Sequence, residues 1–233
     1  MKIVVIASHP DDEVLGCGGT IAQLADEGHR VGILIVGEGI TSRFTDRASA
    51  DRELLDLHHS RAIRAGQHLG AESVEFLNLP DQRLDELPLL EVTHAIEGFL
   101  QRAAPDVVYV QHGGDLNNDH SVTFRAALTA LRPMPGRTVR ALYAFPVASS
   151  TEWSFGLFEP AFRPTVFVDI ERTLARKIEA MEIYESETRP FPHPRSPSSL
   201  EAAARTWGSQ VGLKAAEPFQ LIWEIRSPAA LCK

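Results

Sequence analysis

Apolar residues recur along the chain at two periods, and the alternation between them predicts an α/β protein. The runs Lys2 to Ala7, Arg30 to Val36, Ser73 to Leu77 and Asp106 to Val110 are short, apolar and rich in β-branched residues, the signature of strands buried on both faces. Between them the apolar positions fall at helical spacing. Cys17, Ile21, Leu24 and Ala25 mark one helix. Leu55, Ala62, Ala65 and Leu69 mark a second, predicted over Arg47 to Gly70, and Leu89, Val92, Ile96, Phe99 and Leu100 a third. Gly28 and Gly70 stand where left-handed C-caps would end the first two. A fourth pattern, Phe124, Leu128 and Leu131, is stopped by Pro133 and Pro135. Strand and helix in alternation predict a Rossmann-like fold, a mostly parallel central sheet with helices on both faces.

After a strand-like run at Thr138 to Ala144 the pattern is less regular. Val147 to Arg163, with Trp153, Phe155, Phe158 and Phe162, is expected to be a loop or lid whose rings mainly pack. A strand at Thr165 to Asp169, a helix through Leu174, Ile178, Met181 and Tyr184, a proline-rich loop from Arg189 to Pro197, a helix at Ser198 to Trp207 and an alternating strand at Ala215 to Arg226 complete the order. The 233 residues are expected to form a single domain, with a core over about 1–145 and a C-terminal elaboration over about 146–233.

Composition narrows the function classes. With 23 basic and 31 acidic residues the formal charge is -8, which disfavours general attraction to nucleic acid or an anionic membrane. Only Cys17 and Cys232 are present, so no disulfide framework is expected, and Cys17 reads as a small buried residue. No signal-peptide pattern precedes the first strand and no apolar segment is long enough to span a bilayer, from which a cytoplasmic protein is expected.

The candidate chemistry lies at two strand ends. The first strand runs into Ser8-His9-Pro10-Asp11-Asp12-Glu13, an imidazole and three carboxylates where open sheets bind ligands. Alone, this loop reads equally well as a capped turn. The strand ending at Val110 runs into a second such loop, Gln111 to His120, containing His112, Asp115, Asn117, Asp119 and His120. Two converging loops of this kind decide for a metal site, with His9, Asp12 and His120 as a His, Asp, His set of the catalytic zinc type. Asp11, between two ligands, would point elsewhere as a free base. Asp115 and Asp119 are candidates to fix a ligand histidine's tautomer or, alternatively, to cap the following helix. Asp81, in a third strand-end loop, can accept sugar hydroxyls or serve a turn, and Arg43 and Arg195 can reach an anionic group. His58 and His59 read as a solvated or partly packed pair.

The segments Ala7-Ser8-His9-Pro10-Asp11-Asp12-Glu13 and Leu15-Gly16-Cys17-Gly18-Gly19-Thr20, with Asp119-His120, Leu79-Pro80-Asp81 and His193-Pro194-Arg195-Ser196, resemble the PIG-L (LmbE-like) family of zinc-dependent N-acetyl-sugar deacetylases. The resemblance covers most of the chain. It implies one zinc ion per chain, another divalent transition metal being compatible, and water activated with Asp11 as general base. It places Arg61 near the substrate, by its spacing from Leu69-Gly70, although Ala62 stands where the family has glutamate. Many members carry histidine where this chain has Asn117, which can hydrogen-bond an oxyanion but cannot deliver a proton. His193 is then favoured as the group facing the developing charge, with His112 an alternative source of an imidazolium and Asp11 able to serve in both proton transfers. Trimers and hexamers among similar proteins suggest a homo-oligomer.

The reading is a metal-dependent hydrolase acting on a small N-acetylated amino sugar or conjugate. Arg43, Arg61 and Arg195 hint at a nucleotide-linked or acidic one. A non-sugar conjugate or antibiotic intermediate suits the same chemistry. From another class, a nucleotide-binding module would use Gly16, Gly18 and Gly19 for phosphates, beside carboxylates that would repel them.

Overall fold

A computed structural model of the protein describes residues 1–44, 47 and 51–226; Cys232 lies outside them. Among the described residues seven strands form one sheet in the order β3-β2-β1-β4-β5-β7-β6. They are β1 (Lys2–Ala7), β2 (Arg30–Gly37), β3 (Ser73–Leu79), β4 (Val107–Gln111), β5 (Ala141–Phe145), β6 (Val166–Asp169) and β7 (Ala216–Glu224). Strands β1 to β5 pair in parallel, and β7 and β6 extend the sheet antiparallel. The helices are α1 (Asp12–Asp26), α2 (Arg52–Leu69), α3 (Leu89–Ala103), α4 (Asn118–Ala130), α5 (Leu174–Ile183) and α6 (Pro197–Ser209). The expected single α/β domain with a mostly parallel sheet is the one observed. No helix among the described residues is long and apolar enough to cross a membrane.

Both faces of the sheet are covered because its central strands are apolar on both faces, β1 at every position after Lys2. In β1, Ile3, Val5 and Ala7 pack with α1, α2 and α5, while Val4 and Ile6 face α3 and α4. The predicted C-caps form: Gly28 and Gly70 have φ of 79° and 84°. Helix α2 begins at Arg52, where the Asp51 side chain accepts from Glu53 N at 2.9 Å. The aromatic loop after β5 is irregular as predicted, but Phe155 and Phe158 are exposed rather than packed; Phe162 does pack, edge-on to His112.

Glycines 16, 18 and 19 lie inside α1, all buried. They let the helix sit directly on Phe145, Lys177 and Ile170. A phosphate has no access to them, which removes the nucleotide-binding alternative. The buried Lys177 ammonium donates to Leu15 O (2.8 Å) and to Glu217 (2.5 Å), and Glu217 accepts from the N–H groups of Gly19 and Thr20 (3.0 and 2.7 Å). The C-terminal third is thereby fastened to the helix that carries the first motif. A Cβ at position 16 would lie well inside contact with the Phe145 ring. Gly16→Ala is expected to destabilise the protein by about 2–3 kcal/mol, seen as a lower urea midpoint with an unchanged m-value.

Candidate functional site

The order of the strands brings the two motifs together. Strand β1 is flanked by β2 on one side and β4 on the other, so the chain leaves its carboxyl end in opposite directions and a crevice opens there. The loops after β1 and β4 line a cavity of about 410 Å³ at this point, together with the loops after β2, β3 and β5 and the segment 187–195. His9, Asp11, Asp12, Asp81, Asn117 and His120 all reach it, as do Arg43 and Arg195.

His9 stands among three carboxylates, Asp81 being 3.4 Å from its Nε2, and His120 between two. His9 Nδ1 is 3.5 Å from Asp12 and its Nε2 is 3.0 Å from Asp119; His120 Nε2 is 3.2 Å from Asp12 and its Nδ1 is 3.2 Å from Asp115. Donor atoms of His9, Asp12 and His120 lie within 4.8 Å of one another. Both His120 nitrogens are buried and neither completes a well-directed hydrogen bond, the condition of a ligand whose partner is a cation. A second grouping, His9, Asp81 and Asp119, also has this spacing. There, however, Asp119 already accepts from Gln82 N and Leu84 N at 2.8 and 3.0 Å, and Asp81 from Ser42 N at 3.0 Å. The first set fits a metal ion better because its inward-facing histidine nitrogen is unsatisfied.

Electrostatics follow the same division. Burial opposes ionisation of Asp12, but His120 and His9 outweigh it and hold the carboxyl well below its usual range. Burial likewise opposes a charged His120, yet Asp12 and Asp115 lift its pKa to about 9. Asp11 goes the other way, pushed up to about 8 by burial, with Arg195 acting against the rise. Burial also raises Glu13 to about 7, despite the hydrogen bond it accepts from the Tyr184 hydroxyl at 2.5 Å.

Asp11 occupies the N-cap position of α1 with φ of 116°, a left-handed conformation costly for a residue with a Cβ, and its side chain caps nothing. Its carboxylate accepts instead from Arg195 Nη1 at 2.6 Å. The capped-turn reading of this loop is therefore wrong, and the base is not free as the sequence suggested. Neither Asp115 nor Asp119 caps α4. Asn117 does, its Oδ1 accepting from Asp119 N at 3.0 Å. Asp115 accepts from Ser150, from Thr151 Oγ1 (2.7 Å) and from Asn117 N (2.8 Å), and so is fixed beside His120.

Three expected residues are absent from the cavity wall. Arg61 points away and donates to Glu185 at 2.6 Å. His193 rests edge-on against Trp153, its Nδ1 accepting from Arg195 N at 3.1 Å; the proline-rich loop presents Arg195 to the cavity instead. His112 is buried, its Nδ1 accepting from Gly114 N, and burial depresses its pKa, so it holds no imidazolium ready. Conversely, Glu187 and Ser149 line the cavity without having been singled out, and so do His58, read from the sequence as one of a solvated or partly packed pair, and Trp153, read as a ring of the aromatic loop. Glu187 bridges the arginines, accepting from Arg43 at 2.6 Å and Arg195 at 3.3 Å.

The family profile of PIG-L, described as GlcNAc-PI de-N-acetylase, matches residues 4–131, a span holding both motifs. The chain belongs to the PIG-L family. This PIG-L protein is 31% identical over 140 residues to the uncharacterized deacetylase YaiS of Escherichia coli K12, covering 57% of the chain and 69% of that protein. It is 26% identical over 191 residues, 80% of the chain and 83% of the relative, to a probable N-acetyl-alpha-D-glucosaminyl L-malate deacetylase 2 of Bacillus cereus. Among solved structures, the conserved protein TT1542 of Thermus thermophilus superposes with a TM-score of 0.74 at 27% identity, over 97% of this PIG-L chain and 96% of that one.

Proposed function

We propose that this PIG-L protein is a zinc-dependent N-deacetylase that hydrolyses the acetamide of an N-acetylated amino sugar or sugar conjugate. The observation that carries the reading is the pairing, in one cavity, of the His9, Asp12, His120 set with a buried Asp11 that belongs to no ligand set. His9, Asp12 and His120 would hold the ion, which when bound supplies an activated water and polarises the acetamide carbonyl.

The remaining work falls to side chains. Asp119, hydrogen-bonded to the outer nitrogen of His9, and Asp115, beside the outer nitrogen of His120, hold the two rings so that the inner nitrogens face inward. Asp11 takes the proton from water and can return it to the departing amine, which answers the loss of a histidine at Asn117. Arg195 fixes the direction of the Asp11 carboxylate and Glu187 fixes Arg195. Asn117 keeps its amide N–H groups available, since its capping bond uses only the oxygen. Asp81 would receive sugar hydroxyls. With Arg61 outside the cavity and Arg43 and Arg195 already paired, the arginines no longer argue for an acidic substrate.

Purified protein assayed for metal and for acetate release against a panel of N-acetylated amino sugars and their conjugates is expected to carry one zinc per chain and to release acetate from at least one of them. Absence of any transition metal after reconstitution would overturn the ligand assignment. Zinc without acetate from any of the panel would overturn the sugar reading and leave other amides.

A further inference from the structure

One cavity residue has no place in that scheme. His58 lies on the inward face of α2, spaced with Ala62, Ala65 and Leu69, and is 3% exposed, lining the cavity. Its Nδ1 is buried without a partner, and neither ring nitrogen is hydrogen-bonded among the described residues. The ring is nonetheless held. Tyr184 meets it edge-on at 6.2 Å, and Gly39 passes so close that a Cβ there would lie 3.0 Å from Cδ2 and 3.1 Å from Nε2. A fixed, desolvated imidazole without a hydrogen bond is unfavourable unless something that enters the cavity supplies one.

What could supply it follows from the charge around the ring. Burial pushes the His58 pKa down to about 4, so at neutral pH the ring has one donor and one acceptor nitrogen, the complement of a hydroxyl group. Four carboxylates and two guanidinium groups line the cavity, and both guanidinium groups are engaged: Arg43 with Glu187, Arg195 with Glu187 and Asp11. A divalent cation would bring this set to neutrality, leaving no spare positive charge for a phosphate or carboxylate. We infer that His58 is a substrate-recognition residue that hydrogen-bonds a hydroxyl of an uncharged amino sugar, and that the cavity selects such sugars over anionic ones. The inference rests on the deacetylase reading for the reaction, but the recognition can be measured without turnover.

The test uses the zinc-loaded full chain and its His58→Ala and His58→Gln variants, with N-acetylglucosamine and N-acetylglucosamine 1-phosphate as probes. Wild type is expected to favour the neutral sugar by about tenfold or more in kcat/KM. His58→Ala should raise KM for it about tenfold with little change in kcat, zinc content or melting temperature, and His58→Gln, which keeps a donor and an acceptor, should restore most of the loss. Binding is followed in parallel by NMR of the imidazole nitrogens, where N-acetylglucosamine should shift a signal that disappears in His58→Ala. An unchanged KM in the alanine variant, or a preference for the phosphorylated sugar, overturns the inference while acetate release upholds the deacetylase. If wild type releases no acetate from either probe, neither is a substrate of the reaction, and the NMR shift alone decides: its presence upholds the role of His58, its absence ends it.

Discussion

Asp11→Asn is expected to lower kcat for deacetylation by about a thousandfold while zinc content and melting temperature stay near their wild-type values. The substitution is unusually clean at this position. Asp11 is held at φ of 116°, and after glycine, asparagine tolerates left-handed backbone best, so the loop between His9 and Asp12 need not move. The asparagine oxygen can still accept from Arg195, which also retains Glu187, and no charged group is left buried without a partner. What is lost is the capacity to take and return a proton. Alanine at the same position would confuse this with a stranded Arg195 and a relaxed backbone. Kinetics on N-acetylated sugars with metal analysis of the same preparations check the outcome. Activity within tenfold of wild type would remove Asp11 from the chemistry and send the proton elsewhere.

A base and a metal set are legible in the sequence because their signal is local. His9, Asp11 and Asp12 share one turn, and His120 follows a strand adjacent to the first, so a sheet with its switch point at β1 and β4 can hardly keep them apart. Other cavity residues lack a local signal or carry one that misleads. Arg195 meets Asp11 across 184 positions through a proline-rich loop whose path no periodicity describes, and from the sequence it reads only as a contact for an anionic group while His193 is favoured for the chemistry. Glu187 follows the end of α5 in an irregular segment and gains meaning only from the two arginines that converge on it. His58 is different. It continues the stripe of Ala62, Ala65 and Leu69, and a buried face that ends in histidine at the sheet's ligand edge is visible in the spacing. Arg61, one turn from it on another face, attracts attention by its charge yet serves an ion pair with Glu185.

Removing the metal should make folding stability fall as pH rises, in a way the zinc-loaded protein does not. His120 in the metal-free fold titrates near 9, above its unfolded value of 6.5, so the stability it contributes is complete below about pH 6.5 and is lost as pH rises through 9. The size is on the order of 3 kcal/mol. Asp11, raised from 3.8 to about 8, and Glu13, raised from 4.5 to about 7, have the same sign: each holds a proton in the fold that the unfolded chain releases. Asp12 has the opposite sign, but its folded pKa is so low that its contribution is lost only in strong acid. Between pH 6 and 9 the raised shifts of His120, Asp11 and Glu13 therefore all weaken the metal-free protein as pH rises, against a smaller opposing contribution from His58, whose depressed pKa adds stability only as pH rises toward neutrality. A cation on His9, Asp12 and His120 needs the same nitrogens unprotonated, so its hold tightens over the same interval and the two stability curves diverge. Urea titrations at pH 6 and 9, with zinc and with chelator, measure the divergence directly. A chelated protein as stable at pH 9 as at pH 6 would mean that His120 carries no proton between Asp12 and Asp115, and the two carboxylates would then need a counter-charge other than the imidazole.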